Sequence, residues 1–409
     1  MDKHYQSYTL SNGLRIVYKP SISNVSYCGF FVNAGTRDEN ICEYGMAHFV
    51  EHMLFKGTEK RSSRHIINRM ENVGGELNAY TNKEETVIYS VFLEEHFKRA
   101  FELLVDLVFH SQFPEKEIEK EIDVVIDEIH SYDDSPSELI FDDFENLIFE
   151  NTQLGHNILG TVESLETFVS EKVKSFVQAH YLPSNMVFFF QGRTDFKKIV
   201  YFAEKYLNDL YSAGTSYQRI PIAMIEGSET RIMDKNTSQV HALIGGRSYS
   251  LQDPKRKALH LLNNILGGPG MNSRLNLELR EKRGYVYNVE SSATAYSDTG
   301  VFSIYFGSDK KHADHCTELI YKELKKMKQN KLSTTQLHAA KKQLIGQIGV
   351  GSDNSENTSL SLGKTFFHYN HINSLEETFN KINAITSEQL LEVANDIFDE
   401  RNLFRLIYH

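Results

Sequence analysis

The sequence lacks the features that mark secreted, membrane-spanning and disulfide-stabilised proteins. It has three cysteines, Cys28, Cys42 and Cys316, and this odd number without a CxxC spacing favours a reducing compartment. No uninterrupted apolar run approaches the roughly 18 residues of a membrane helix. The N-terminus shows neither the apolar core of a signal peptide nor the Arg/Ser-rich amphipathic pattern of a transit peptide. We therefore predict a cytoplasmic protein that has no membrane partner.

An excess of basic residues is also missing. Lys and Arg total 44 whereas Asp and Glu total 55, which gives a formal charge of -11. A general nucleic-acid binder needs a basic surface to neutralise phosphates, so we predict no nucleic-acid partner. The acidic balance is compatible with cationic substrates or partners. One acidic stretch is predicted to be a solvated helix face, and its members are Asp133, Asp134, Glu138, Asp142, Asp143 and Glu145.

The length and the order of predicted elements indicate a duplicated α+β unit. At 409 residues the chain has room for two or three domains. Periodicity fades over 213–228, which we predict to link a domain at 1–212 to a domain at 229–409. Both predicted domains run through strands, a helix, two more strands, further helices and a last strand. The expected fold is two similar α/β-roll halves, each a mostly antiparallel sheet with helices on one side.

The sharpest local feature is the motif His48-Phe49-Val50-Glu51-His52, within a predicted helix at 44–55. Residues four apart share one face of a helix, so two imidazoles there can bind one metal ion. Glu51 borders the same face, and a carboxylate beside a metal site can take a proton from water. This HxxEH order is the reverse of HExxH. The pattern predicts a hydrolytic metal site with Glu51 as its base.

The second half does not repeat this motif. At an offset of 212 residues, His48 corresponds to His260, whereas the positions of Glu51 and His52 hold Asn263 and Asn264. A metal site is therefore predicted in the first half alone. Nearby, the run Gly267-Gly268-Pro269-Gly270 lacks the GK[ST] ending of a phosphate loop, so we predict that it ends a helix.

A catalytic zinc ion usually has three protein ligands, so a third is needed. The predicted helix at 114–132 offers Glu121 and Glu128, which are seven residues apart and share a face. Both belong to a generally charged helix, and the ordinary interpretation of such a helix is a solvated face. Periodicity alone leaves the choice between the two carboxylates open.

Four stretches of the chain resemble the pitrilysin-type zinc peptidases, or inverzincins, which include insulysin and the mitochondrial processing peptidases. They are AHFVEHMLFKGT at 47–58, GGELNAYT at 74–81, VVIDEI at 124–129 and LREKRGYVY at 279–287. The likeness is strongest to the short bacterial members and the processing peptidases. It implies one zinc ion per chain, bound by His48, His52 and Glu128, with Glu121 orienting the metal environment. Such ligands suit zinc but also manganese or cobalt.

The same resemblance implies a substrate site and a partner. Asn78 and Ala79 match an edge strand that offers groups to an extended peptide backbone. Arg280 and Tyr287 match a pair that binds and polarises the substrate carbonyl, and in dimeric relatives this pair comes from the opposite subunit. A homodimer is therefore expected. The ordinary alternative places Arg280 in a solvated basic cluster with Lys282 and its neighbours.

Together these features predict a zinc endopeptidase that hydrolyses peptides or flexible extended segments inside a closed dimer chamber. Two alternatives remain open. One is a non-catalytic structural or assembly subunit with the same fold, which the loss of a metal ligand would favour, although no predicted ligand is lost. The other is a dedicated maturation protease for one partner protein, which would cut few peptides where a general degrader cuts many.

Overall fold

The structure is a computed structural model that describes residues 5–210, 219–223 and 227–409. These residues form two compact units, each of which contains one β-sheet. The first unit holds the described residues up to Ile129 and those within His156–Arg219 and Gly351–Ser374. The second holds those within His130–Gly155, Ile220–Val350 and Leu375–His409. Most of the predicted linker at 213–228 lies outside the described residues.

The elements follow one another along the chain much as the periodicity predicts. The strands are β1 (Gln6–Thr9), β2 (Arg15–Pro20), β3 (Val25–Val32), β4 (Glu76–Thr81), β5 (Thr86–Leu93), β6 (Met186–Gly192), β7 (Thr230–Met233), β8 (Val240–Ser248), β9 (Val286–Ala295), β10 (Gly300–Ser308) and β11 (Phe404–Tyr408). The helices are α1 (Met46–Leu54), α2 (Ser63–Glu71), α3 (Phe97–His110), α4 (Glu115–Asp133), α5 (Pro136–Ile148), α6 (Val162–Leu165), α7 (Ser170–His180), α8 (Phe196–Leu207), α9 (Arg256–Gly267), α10 (Ala313–Gln329), α11 (Thr334–Gly351), α12 (Ser355–Tyr369), α13 (Leu375–Asn383) and α14 (Ser387–Ile397). Within the described part of the chain, every helix is too short or too polar to cross a lipid bilayer.

The two sheets share one topology, which confirms the predicted pair of similar halves. The first sheet has the order β1-β2-β6-β3-β5-β4 and the second has the order β7-β11-β8-β10-β9. Leaving out β1, each strand of the first sheet has a counterpart in the second. Both sheets are antiparallel except for one parallel pair, β2 with β6 and β7 with β11. The last strand of each half therefore lies between two earlier strands, β6 between β2 and β3 and β11 between β7 and β8.

Apolar side chains cover both faces of the first sheet, which explains why β6 is buried along its whole length. Phe30 and Phe188, whose ring centroids lie 5.1 Å apart, face the core formed with α1, α3, α7 and α8. The next residues along each strand, Phe31 and Phe189, face the opposite side, as the alternation of a strand requires. Both faces of this sheet consequently need a cover.

The second cover of each sheet is a helix from the other half of the sequence. In the first unit, Leu362 and Phe366 of α12 belong to the same buried apolar cluster as Phe31. Gly363 lets this helix approach closely, because a side chain there would collide with the Phe31 ring. In the second unit, α5 covers the sheet face that carries Leu243. The prediction of helices on one side only is therefore wrong, since an apolar helix face does not encode which sheet it covers.

The acidic stretch predicted to be a solvated face is partly structural. Asp143 accepts a hydrogen bond of 2.5 Å from the Tyr408 hydroxyl, and Glu145 accepts one of 2.6 Å from the Tyr296 hydroxyl. Both tyrosines are buried in the second unit. The prediction is wrong for these two carboxylates, because each one satisfies a buried phenol.

A buried ionic cluster attaches α12 to the first sheet. The Glu85 side chain is only 3% exposed, and its oxygens lie 2.6 Å from Nζ of Lys364 and 3.2 Å from Nε2 of His368. Burial alone would raise the pKa of Glu85, but the hydrogen bond to His368 and the charge of Lys364 outweigh it and lower that pKa to about 2. The ionised carboxylate is therefore favoured in the folded state.

We expect Glu85→Gln to lower the free energy of unfolding by about 1–3 kcal/mol at neutral pH, because the Lys364 ammonium loses its buried counter-ion. The folded-state pKa of Glu85 lies below its unfolded value of about 4.3, so its stabilisation exists above that pH and fades as the pH falls toward 2. Urea unfolding at pH 7 and at pH 3 measures the difference between the two chains. Equal midpoints for variant and wild type at pH 7 would contradict the expectation.

Candidate metal centre

The HxxEH motif lies on α1, whose apolar side chains anchor it to the core of the first unit. Phe49, Val50 and Met53 are fully buried. The imidazoles of His48 and His52 lie side by side with ring centroids 4.5 Å apart, as the spacing of four residues predicts. One turn of a firmly packed helix therefore presents both rings in the same direction.

Three ligand atoms from two helices converge at this point. Oε2 of Glu128, on α4, lies 3.9 Å from Nε2 of His48 and 3.7 Å from Nε2 of His52. All three atoms lie within 4.8 Å of one another. These separations are too long for hydrogen bonds. Two ligands of a tetrahedral ion with bonds of about 2.0–2.1 Å lie about 3.4 Å apart, so the three donors fit one zinc ion after a small contraction.

Glu121 lies behind His52 rather than beside the other two ligand atoms. Its Oε1 is 2.9 Å from Nδ1 of His52, and its Oε2 is 2.5 Å from Nζ of Lys56. A carboxylate accepts hydrogen bonds, so Nδ1 of His52 carries a proton and Nε2 is the nitrogen that can bind a metal ion. The structure thus separates two carboxylates that periodicity left equivalent. Lys56 was not singled out in the sequence, although it lies four residues after His52, just beyond the end of α1.

The electrostatic environment keeps His48 neutral. Burial lowers the pKa of His48 to about 3, so its imidazole is uncharged at neutral pH, as metal binding requires. Burial also acts to lower the pKa of His52, but the hydrogen bond to Glu121 and the carboxylate of Glu128 outweigh it and raise that pKa. The pKa of Glu121 is lowered, because the hydrogen bonds from His52 and Lys56 exceed the effect of burial.

The Glu51 carboxylate borders this cluster and is held by the neighbouring strand. Its Oε2 accepts a hydrogen bond of 2.6 Å from the hydroxyl of Thr81, at the end of β4. Burial raises the pKa of Glu51, and the bond from Thr81 opposes that rise. Sequence reasoning quoted Thr81 only as part of a resembling stretch, because no local pattern shows that its hydroxyl faces α1.

If Glu51 is the base of the predicted peptide hydrolysis, Thr81→Val should move the acidic limb of its kcat/KM profile to higher pH. The hydroxyl stabilises the ionised form of Glu51, so its removal raises the pKa of Glu51 and the base is protonated at a higher pH. Thr81→Ser keeps the hydroxyl and should retain the wild-type profile. A Thr81→Val profile that overlays the wild type would refute this role.

The predicted substrate residues lie on an edge strand. β4 is the terminal strand of the first sheet and pairs with β5, and its outer edge has no partner strand in residues 5–210, 219–223 and 227–409. Leu77 and Ala79 pack toward α1, whereas Tyr80 packs on the opposite face, so the alternation places the Asn78 side chain with Tyr80. Such an unpaired edge can add an extended peptide.

Arg280 and Tyr287 belong to the second unit. Arg280 is exposed and lies in a short π-helix, Asn276–Glu281, a form of helix that often marks functional sites. Tyr287 lies on β9, is 63% exposed and has its hydroxyl 3.5 Å from Oδ1 of Asp309. Their place at the metal centre stays a prediction.

Comparisons with known proteins identify the family of this chain. Residues 15–162 match the family described as insulinase (peptidase family M16), and residues 167–344 match the peptidase M16 inactive domain. An uncharacterized zinc protease of Bacillus subtilis, YmxG, is 31% identical over 98% of this chain and 97% of its own length. The chain belongs to the peptidase M16 family. Another relative, an uncharacterized zinc protease of Rickettsia felis, is 32% identical over 97% of this chain and 96% of its own length.

Solved structures show the same M16 fold. A protease from Helicobacter pylori superimposes with a TM-score of 0.92 at 21% identity and covers 99% of both chains. A peptidase M16 inactive domain from Pseudomonas fluorescens gives 0.91 at 19% identity, covering 99% of this chain and 98% of its own. The inactive-domain match includes α9, where Asn263 and Asn264 stand in place of Glu51 and His52.

Proposed function

We propose that this M16 protein is a zinc-dependent endopeptidase. The observation that carries the proposal is the convergence of His48 Nε2, His52 Nε2 and Glu128 Oε2 beside the Glu51 carboxylate. The first three residues would hold one zinc ion per chain. When bound, zinc supplies Lewis-acid polarisation of the substrate carbonyl and makes water a better nucleophile.

Glu51 acts as the general base and then as the general acid. Its carboxylate takes a proton from the water that attacks the scissile carbonyl and passes it to the leaving amine. The raised pKa of this buried group suits both steps, because the carboxyl must gain and then lose a proton. The hydrogen bond from Thr81 fixes the direction in which the carboxylate points.

Substrates are peptides or flexible segments in extended form. Pairing with the outer edge of β4, beside Asn78 and Ala79, requires free backbone N–H and C=O groups, which a folded substrate does not offer. A general degrader should cut many unrelated unstructured peptides, whereas a dedicated maturation protease should cut few. A peptide library incubated with the zinc-loaded protein distinguishes the two.

The active form is a homodimer whose chamber is completed by Arg280 and Tyr287 of the second copy. We expect mixtures of Glu51→Gln chains with Arg280→Ala chains to recover about a quarter of wild-type activity after subunit exchange. Half of the dimers are then mixed, and each mixed dimer has one complete site. Activity no higher than the sum of the separate variants would contradict shared sites.

The inactive-domain match keeps a non-catalytic subunit as the second candidate. The two functions differ in a direct assay of the purified chain with zinc and unstructured peptides. Cleavage that requires zinc supports the peptidase. A chain that binds zinc but cuts no peptide, alone or at concentrations that favour dimers, would favour the structural or assembly role.

A further inference from the structure

A fully buried carboxylate outside the proposed ligand set lies at the start of α1. Oε1 of Glu39 accepts a hydrogen bond of 2.8 Å from the backbone N–H of Ala47, and Oε2 accepts one of 2.9 Å from that of Gly45. The Glu39 side chain has no exposed surface. The first N–H groups of a helix have no partner within the helix, so Glu39 satisfies donors at the turn that contains His48.

Glu39 is itself held in place by His156, which follows it by more than a hundred residues. Nε2 of His156 lies 3.1 Å from Oε2 of Glu39 and 3.0 Å from the carbonyl oxygen of Thr36. The Thr36 carbonyl can only accept a hydrogen bond, so this nitrogen carries a proton. The imidazole stacks on the ring of Tyr44 at 3.8 Å and 8°. The Lys83 ammonium donates to the His156 carbonyl and fixes the segment further.

The backbone at the start of α1 fits this segment closely. Gly45 has a φ of 93°, in the left-handed region, and an added Cβ would lie 2.6 Å from the carbonyl oxygen of Leu159. Other residues therefore cannot enter α1 in this way without displacing the segment at 156–160. Three features together set the position of the first turn of α1: Glu39, His156 and the close approach of Gly45 to the Leu159 carbonyl.

Different contacts hold the two imidazole rings of the motif in place. Nδ1 of His52 is bonded to Glu121 at 2.9 Å, whereas Nδ1 of His48 is buried and has no hydrogen-bond partner among the described residues. A ligating histidine is normally oriented through its second nitrogen. Because His48 lacks such a bond, its direction depends on where the backbone of the first helical turn lies.

We propose that Glu39 is a positioning residue for the zinc site: by capping α1 it fixes the direction in which His48 presents Nε2. The inference rests on the proposed function, since it assigns Glu39 to the same centre. Glu39 touches neither ligand atoms nor substrate. Its contribution is made before zinc binds, as an ordered first turn of α1.

The test compares zinc affinity and hydrogen exchange in three chains. In Glu39→Gln the side-chain amide faces a backbone N–H, so one cap is lost. We expect zinc to bind about 10- to 100-fold more weakly, the range seen when groups that support metal ligands are changed. In the zinc-free protein, the amides of residues 45–49 should exchange faster. Glu85→Gln, also a buried carboxylate of the first unit, should lose stability but keep wild-type zinc affinity and exchange at 45–49.

A second variant covers the case in which Glu39→Gln fails to fold. His156→Phe keeps the stack on Tyr44 but removes the N–H that holds Glu39, so it should weaken zinc binding in the same direction by a smaller factor. Unchanged zinc affinity in the folded variants, or an equal loss in Glu85→Gln, would overturn the role of Glu39. A wild-type chain that binds no zinc would instead refute the proposed function, and exchange at 45–49 would still test the cap.

Discussion

Glu51→Gln should lower kcat/KM for an unstructured peptide by about 10²- to 10⁴-fold while zinc remains bound at the wild-type ratio. The loss is that expected for a general acid–base group. The amide cannot take a proton from water, yet its oxygen can still accept the hydrogen bond from Thr81, so the surrounding geometry is preserved. Steady-state hydrolysis and metal analysis of the same preparations measure both quantities.

The control for this variant is Glu95→Gln, which neutralises a carboxylate that is 75% exposed. It should cut peptides at the wild-type rate. Undiminished cleavage by Glu51→Gln would refute Glu51 as the base. Loss of zinc together with activity would mean that Glu51 helps to hold the ion instead.

Glu128→Gln should weaken zinc binding far more than Glu121→Gln. Oε2 of Glu128 lies beside the Nε2 atoms of His48 and His52, so its replacement removes the proposed third ligand. Glu121 orients His52 through Nδ1, and such supporting carboxylates contribute about 10- to 100-fold in affinity. Competition with a chelator of known affinity ranks the two variants.

The paired variants answer the question that periodicity left open. Both remove one carboxylate charge from the same helix, so general electrostatic effects are matched. If Glu121→Gln lost more zinc than Glu128→Gln, the assignment of ligand and supporting group would have to be reversed. Equal losses would contradict a distinct ligand role for Glu128.

The sequence predicts those parts of the site whose residues are close together along the chain, and it does not predict those that tertiary packing brings together. His48 and His52 are brought together by one helical turn, so their spacing alone predicts the pair. Glu121 and Glu128 are seven residues apart and share a face of α4. Their different environments arise from the packing of α4 against α1, which spacing does not encode. The family resemblance selected Glu128 where periodicity could not.

Groups that support the site were missed for a related reason. Thr81 reaches Glu51 because β4 packs beside α1, and Glu39 reaches the start of α1 through a loop. Neither residue belongs to a periodic pattern. The fold gives a similar example. The sequence shows that α12 has apolar residues, but tertiary packing decides that they cover the sheet that carries Phe31.

The most direct test of the account is a crystal structure of the zinc-loaded protein with diffraction data collected on both sides of the zinc absorption edge. We expect one anomalous peak per chain, about 2.0–2.2 Å from Nε2 of His48, Nε2 of His52 and a carboxylate oxygen of Glu128. A peak at another position, or one bound by the two histidines with Glu128 turned away, would contradict the central claim.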